Sequence, residues 1–241
     1  MAATCPKRVL FVGNSYTFYN DLPRMTSELS QVLGDDKRID AEMSTAPRVD
    51  LGYHIESSSA LAMIRDNRYT HIVVQGSSSE PLEEPEQFLQ RCRIIRETAK
   101  GSGNKRDLGI VFFQTPPYKA FGESGGTPGL YQRPFTGGDP AAMLAGLRDV
   151  YERAARENGA RLARVGELFV RCGEENPEVE LYAPDGLHPS LAGSYLAALV
   201  ILNALTGADP QQTRWRPGEL STTEASILRN AVGKALRDGA A

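Results

Sequence analysis

The sequence is poor in the residues that cross-link small domains or hold metals. Its 241 residues include 3 histidines and 3 cysteines, and the cysteines, at positions 5, 92 and 172, form no CxxC pair. Neither a disulfide framework nor a zinc ribbon is predicted, and a reducing compartment fits best. His54 and His71 lack the spacing of metal ligands, and the nucleotide fingerprints GxGxxG and GxxxxGK[ST] are absent. We expect no metal and no cofactor.

Long apolar runs and an excess of charge are missing as well. The 27 Lys and Arg against 30 Asp and Glu give a net charge of -3, and no basic run stands out, which argues against nucleic acid as a partner. Residues 196–205 are apolar but shorter than the roughly 18 residues of a membrane span. Residues 1–17 lack the apolar core of a signal peptide. We expect a cytoplasmic protein without a membrane partner, or a secreted one if a leader was removed.

Strand-like and helix-like segments alternate along the whole chain. The predicted strands are 7–13, 38–43, 71–75, 108–113 and 161–165, and the predicted helices are 22–33, 56–65, 84–100, 139–158, 168–172, 190–205 and 221–236. Strands separated by helix-length segments indicate crossovers between parallel strands and a sheet covered on both faces. With no repeat or linker in the sequence, we predict a single three-layer α/β/α domain over residues 1–241.

The loops that follow the strands are the predicted place for a ligand. In parallel sheets of this kind, ligands bind at the carboxyl ends of the strands, so the loops after Gly13, Gln75 and Phe113 should meet at one edge. Residues 118–138 are rich in Gly, Pro, Ser and Thr and are predicted to be a long irregular loop, a kind of segment that is usually functional or disordered. The candidate substrate contacts are Asn14, Gln114 and Tyr118.

The segment GNSYT, residues 13–17, directly follows the first predicted strand. It places Ser15 at a strand-to-helix turn, where a hydroxyl is exposed and backbone N–H groups are unpaired. Ser15 is therefore a candidate nucleophile for hydrolysis. Two other interpretations stay open at this point. The serine could cap the following helix, or the loop could hold a flavin or a sugar phosphate in a protein that is not an enzyme.

The segment DGLHP, residues 185–189, lies near the carboxyl end of the predicted core. A serine nucleophile needs a base within hydrogen-bond reach, and that base needs a third group to orient it. Asp185 can hold one imidazole nitrogen of His188 and leave the other free to take the serine proton. The alternative is that Asp185 caps a turn and that His188 is a surface or packing residue.

These segments together resemble the sequence blocks of the SGNH/GDSL hydrolase superfamily. The similarity is to a group with GNS in place of GDS and a Gln in the central block, which here reads VVQGSSSEP at residues 73–81. The last block reads LYAPDGLHPS at residues 181–190 and continues as GSYLAA at residues 193–198. The blocks occur in the family's order, and the similarity spans residues 8–208.

The resemblance implies a flavodoxin-like sandwich with five parallel strands and a serine esterase site. It assigns the nucleophile to Ser15, the base to His188 and the partner of the base to Asp185. The expected enzyme is an SGNH/GDSL-type ester hydrolase that forms an acyl-serine intermediate. Its substrates would carry small acyl groups, preferably acetyl, on a carbohydrate or another polar small molecule.

The predicted oxyanion hole departs from the family pattern in two places. The family uses the N–H of the nucleophile, here Ser15, with a glycine N–H from the second block and an Asn side chain from the third. No glycine stands at residues 46–50, where we assign the N–H of Arg48 instead. Gln75 takes the Asn position with an amide one methylene further from the backbone, although it could also be a simple polar strand terminator.

Two alternatives to the acetyl esterase are carried forward from the sequence. The first is a broad short-chain carboxylesterase or thioesterase. The second is a flavodoxin-like protein without catalytic activity that binds a flavin or a phosphorylated ligand. Asp185 and His188 separate the second alternative from the enzymes, because a phosphate binder has no need of that pair.

Overall fold

A five-stranded parallel sheet forms the centre of the molecule in the computed structural model, which describes residues 5–66, 68–101, 108–119 and 129–239. The strands are β1 Lys7–Gly13, β2 Ile39–Thr45, β3 His71–Val74, β4 Gly109–Phe113 and β5 Arg161–Ala163. Their spatial order is β2-β1-β3-β4-β5, and every neighbouring pair is parallel. This is the strand order of flavodoxin-like folds, so the predicted fold class is confirmed.

Alternate residues of the central strands pack into two separate cores. In β1, Val9 and Phe11 enter one core, while Leu10 and Val12 enter the other. All four side chains are fully buried. A strand that is buried on both faces must be apolar along its whole length, which explains why β1 reads as an unbroken apolar run rather than an alternating one.

Helices cover both faces of the sheet. They are α1 Ser15–Phe18, α2 Leu22–Gln31, α3 Leu51–Glu56, α4 Ala60–Arg65, α5 Glu80–Glu83, α6 Pro85–Lys100, α7 Pro140–Asn158, α8 Val165–Glu175, α9 Leu191–Thr206 and α10 Thr222–Arg237. Helices α2, α8, α9 and α10 supply the first core, and α3, α4, α6 and α7 supply the second. Helix α9 is apolar on nearly every side because it lies between the sheet and α10.

Two predicted segments differ in kind from the structure. The predicted helix over 56–65 is two short helices, α3 and α4, because the chain leaves helical geometry after Glu56. Residues 129–138 of the predicted irregular loop contain two 3-10 turns, Leu130–Gln132 and Pro134–Thr136. The part of that loop at 120–128 lies outside the described residues. Within the described ranges, no helix is long and apolar enough to cross a membrane.

Candidate active site

Ser15 is the first residue of the short helix α1, at the carboxyl end of β1. The preceding residue, Asn14, is the N-cap, and its Oδ1 accepts a hydrogen bond from the N–H of Tyr16 at 3.1 Å. The N–H of Thr17 is bonded to the carbonyl of Asn14 at 2.9 Å. The first N–H groups of a helix have no intrahelical acceptor. The N–H of Ser15 therefore points out of the helix beside its own hydroxyl.

The structure brings Asp185 and His188 to Ser15 from the loop before α9. Nε2 of His188 lies 2.9 Å from Oγ of Ser15, and Nδ1 lies 2.5 Å from Oδ2 of Asp185. An ionised carboxylate can only accept, so Nδ1 carries a proton and Nε2 is the nitrogen that accepts from the serine hydroxyl. The three side chains form one continuous chain of hydrogen bonds.

The backbone of the same loop holds Asp185 in place. Its Oδ1 accepts from the N–H groups of Leu187 and His188, both at 2.9 Å. Burial acts to raise the pKa of Asp185, but these bonds and the bond from the His188 ring outweigh it, and the pKa lies below its ordinary value. Asp185 is therefore ionised near neutral pH. It can orient the imidazole and stabilise the positive charge that forms when the ring takes a proton.

The geometry corrects the role predicted for Gln75. Its side chain is 1% exposed, and its Nε2 donates to Oδ1 of Asn14 at 2.9 Å and to the carbonyl of Gly76. Its Oε1 accepts from the N–H of Asn14 at 3.0 Å and from the hydroxyl of Thr17 at 2.8 Å. The buried carboxamide thus bonds on both sides to the residues that flank Ser15. In this geometry Gln75 supports the nucleophile turn, and its contacts are with the protein rather than with an oxyanion.

Asn14 also differs from its predicted role as a substrate contact. Its side chain is 4% exposed, and its Nδ2 donates to the carbonyl of Val49 at 2.9 Å. Together with its bonds to Tyr16 and Gln75, this links the loops after β1, β2 and β3. Asn14 is therefore buried among the turns of the site and offers little surface to a ligand.

Arg48, which stands where the family has a glycine, adopts a left-handed backbone conformation. Its φ is 59°, in the region that glycine occupies easily and other residues enter at a cost. Its carboxyl-side neighbour, Val49, carries the carbonyl that accepts from Asn14. The loop after β2 thus reaches the nucleophile turn, and the N–H of Arg48 remains the predicted second oxyanion donor.

Sequence reasoning missed a buried ion pair behind these loops. The side chain of Glu80 is 3% exposed and accepts from Nη1 of Arg91 at 2.8 Å. It also accepts from the N–H groups of Leu51 and Ser77, both at 3.2 Å, and Arg91 reaches Asp50 at 2.9 Å. Burial raises the pKa of Glu80, although the bonds from Arg91 and the backbone oppose it. The pair ties the loop after β2 to the loop after β3.

His54 has the ordinary polar role that its sequence context favours. The ring is 1% exposed, and Nε2 lies 2.8 Å from the carbonyl of Gly13, just before the nucleophile turn. Burial lowers the pKa of His54, although the bond to Gly13 opposes that shift. A neutral ring that donates from Nε2 satisfies the carbonyl and helps fix the end of β1.

The other two predicted substrate contacts lie at the end of β4 and beyond it. Gln114 is 0% exposed, and neither polar atom of its side chain has a hydrogen-bond partner among the described residues. The hydroxyl of Tyr118 lies 3.1 Å from Oγ of Ser78, which follows the central block strand. Contact with substrate stays a prediction for both. The described residues contain no group of three or more His, Cys, Asp or Glu side chains placed to hold a metal ion.

Comparison with solved structures gives the class of protein. A protein from Slackia heliotrinireducens, described as a candidate SGNH hydrolase, matches with a TM-score of 0.67 and 27% identity over 83% of this chain and 98% of its own. A DUF4886 family protein from Bacteroides uniformis matches with a TM-score of 0.76 and 17% identity over 98% and 96% of the two chains. An acetyl-xylooligosaccharide esterase from Geobacillus matches with a TM-score of 0.55 and 15% identity over 85% and 96%.

No family model and no curated protein sequence matches the chain. The solved structures nevertheless share the three-layer hydrolase fold, and the similarity extends over most of the chain in each case. The predicted resemblance to the SGNH/GDSL hydrolase superfamily is confirmed. The predicted class of enzyme, an ester hydrolase, is confirmed with it.

Proposed function

We propose that the protein hydrolyses esters of small acyl groups through an acyl-serine intermediate on Ser15. The observation that carries this proposal is the unbroken chain of hydrogen bonds from Ser15 through His188 to Asp185. A serine hydroxyl is a weak nucleophile alone, and a neutral imidazole held by a carboxylate is the arrangement that activates it.

The reaction follows from these three groups. Oγ of Ser15 attacks the ester carbonyl while its proton passes to Nε2 of His188, and the carbonyl electron pair moves onto the oxygen. The tetrahedral intermediate collapses, the bond to the alcohol breaks, and the imidazolium gives its proton to the leaving oxygen. Water then attacks the acyl-serine with the same base, which releases the acid and restores the serine. Throughout, Asp185 keeps the ring oriented and balances its charge.

The oxyanion is held by backbone N–H groups in this proposal. The candidates are the N–H of Ser15, at the start of α1, and the N–H of Arg48, in the turn that lies against Asn14. Donors fixed before the reaction stabilise the charge that develops on the carbonyl oxygen without further reorganisation. Gln75 contributes indirectly, because it holds the turn that presents Ser15.

The preferred substrates are acetyl esters of a carbohydrate or a similar polar molecule. The loop after β3 presents polar side chains, and the half-buried Ser78 places its hydroxyl 3.1 Å from that of Tyr118. A hydroxyl-rich acceptor can supply partners that an alkyl chain cannot. Esterases that act on acetylated xylose polymers share the fold, which favours the same acceptor class.

Active-site labelling tests the proposal. A fluorophosphonate should modify Ser15, as mapped by peptide mass spectrometry, and Ser15→Ala should lose both labelling and several orders of magnitude in kcat with the fold intact. Ser59, an exposed residue at the start of α4, provides a control: Ser59→Ala should label and turn over like the parent. Labelling at another residue, or turnover by Ser15→Ala, would exclude the mechanism.

A further inference from the structure

An aromatic ring covers one face of the imidazole of His188. The rings of Tyr19 and His188 are stacked, with centroids 4.3 Å apart and planes inclined by 7°. Tyr19 itself is 36% exposed, so the contact is not a consequence of deep burial. The stack covers a face of the imidazole, while Ser15 and Asp185 bind its two ring nitrogens at the edge.

The backbone next to Tyr19 is strained. Asn20 and Asp21 both have left-handed conformations, with φ of 54° and 51°. Asn and Asp enter this region more readily than other non-glycine residues, usually singly, so two in succession persist only where the surrounding structure holds them. Two in succession make a sharp turn between α1 and α2, and this turn sets the position of Tyr19.

Hydrogen bonds from Asn20 hold that turn against the segment that follows His188. Its Nδ2 donates to Oγ of Ser194 at 2.8 Å and to the carbonyl of Ser190 at 3.1 Å. Both acceptors lie at the start of α9, directly after His188. The strained turn and the loop that carries the imidazole are therefore fastened together, although they are 170 residues apart in sequence.

We propose that Tyr19 is a positioning residue for His188, held in place by the strained and clamped turn at Asn20. This inference rests on the proposed function. The stack fixes the plane of the imidazole so that Nε2 faces Ser15. The negative face of the phenol ring also stabilises the imidazolium that forms during the reaction, because a cation within about 6 Å of an aromatic centroid is attracted to it. The imidazolium is the form that must protonate the leaving alcohol.

The choice of ester separates this role from a purely structural one. An alkoxide leaves poorly unless it is protonated, so hydrolysis of an alkyl acetate depends on the imidazolium as a general acid. A p-nitrophenoxide leaves without that proton. Loss of a group that orients or stabilises the imidazolium should therefore slow an alkyl acetate more than p-nitrophenyl acetate, whereas loss of folded protein should slow both equally.

The experiment compares Tyr19→Leu and Tyr19→Phe on the two esters. Tyr19→Leu keeps an apolar side chain but removes the ring face, and it should lower kcat for an alkyl acetate roughly tenfold with KM little changed and a smaller loss on the aryl ester. Tyr19→Phe should retain both activities. Tyr53→Leu is a matched control, because Tyr53 is 39% exposed and contacts His54 edge-on; it should leave both activities unchanged.

A second variant tests the clamp. Asn20→Gly permits the left-handed backbone but removes the side-chain bonds to α9, so it should show the same selective loss on the alkyl ester in weaker form. Equal losses on both esters, or unchanged kcat in Tyr19→Leu, would overturn the inference while leaving the proposed function in place. Turnover by Ser15→Ala would instead overturn the proposed function.

Discussion

Gln75 and Asn14 exchange hydrogen bonds in both directions. The Nε2 of Gln75 donates to Oδ1 of Asn14 at 2.9 Å, and the backbone N–H of Asn14 donates to Oε1 of Gln75 at 3.0 Å. The pair joins the end of β3 to the residue before the nucleophile. A side chain added at Gly13 would collide with the same carboxamide. The length of Gln75 therefore matches the space between two neighbouring strand ends.

Substitution of Gln75 should reduce stability and turnover together. Gln75→Asn cannot reach both groups of Asn14, and Gln75→Ala reaches neither, so buried polar groups lose their partners. We expect the free energy of unfolding to fall by about 1–3 kcal/mol and kcat to fall because Ser15 is less well held. Thermal unfolding and kcat of the folded fraction test this. A loss of kcat by orders of magnitude with an unchanged Tm would instead restore Gln75 as an oxyanion donor.

The ion pair between Arg91 and Glu80 offers a comparison with a surface pair on the same helix. Arg91→Met leaves a carboxylate buried without its cation, and breaking such a pair costs about 3–5 kcal/mol. The control is Arg93, which pairs with Glu157 and has a side chain that is 49% exposed. Arg93→Met should lower the free energy of unfolding by less than about 1 kcal/mol. Urea unfolding at pH 7 measures both. Equal losses of unfolding free energy in the two variants would mean that burial of Glu80 does not make its ion pair more important for stability than the surface pair.

Lower pH should reduce the loss of stability that Arg91→Met causes. Burial raises the pKa of Glu80, and without Arg91 the carboxyl can take a proton and lose its uncompensated charge. The difference in unfolding free energy between the parent and Arg91→Met should therefore shrink as the pH falls from 7 toward 5. A difference that is constant with pH would argue that the lost packing of the arginine, rather than the charge, causes the effect.

Stability should also depend on pH through His71. Burial, with the charges of Lys7 and Arg161, lowers its pKa from 6.5 to about 4. The unfolded chain then binds this proton first, so the stabilisation is complete above pH 6.5 and is lost as the pH falls toward 4. His71→Gln should show a shallower fall in unfolding free energy over that interval, measured by urea titration at several pH values. The same slope in parent and variant would contradict the assignment.

Acyl chain length tests the substrate class. If polar groups such as the Ser78–Tyr118 pair line the pocket, a series of p-nitrophenyl esters should give the highest kcat/KM with acetate and a decline toward octanoate. Acetylated and deacetylated xylo-oligosaccharides then test the acceptor by release of acetate. A maximum at eight carbons or more would favour a lipase over a carbohydrate esterase.

The sequence contains enough information to predict the sheet and the residues of the hydrogen-bonded chain. Apolar runs identify β1 and β3, and Ser15, Asp185 and His188 stand in family blocks beside them. The partners of Gln75 could not be predicted, because they depend on the spacing of two strand ends rather than on residue type. The stack of Tyr19 on His188 could not be predicted from the sequence either. It depends on the left-handed conformations of Asn20 and Asp21, and no glycine in the sequence marks these positions.

The distance along the chain between Ser15 and His188 has a consequence for how activity arises. The two residues are 173 positions apart, and β1, which precedes Ser15, lies inside the sheet between β2 and β3. A chain emerging from the ribosome completes β1 early and then carries an inert serine until the segment before α9 has been synthesised and docked. Contacts of such long range form late. Turnover is therefore a reporter of complete assembly, and during refolding it should recover after the helical signal does.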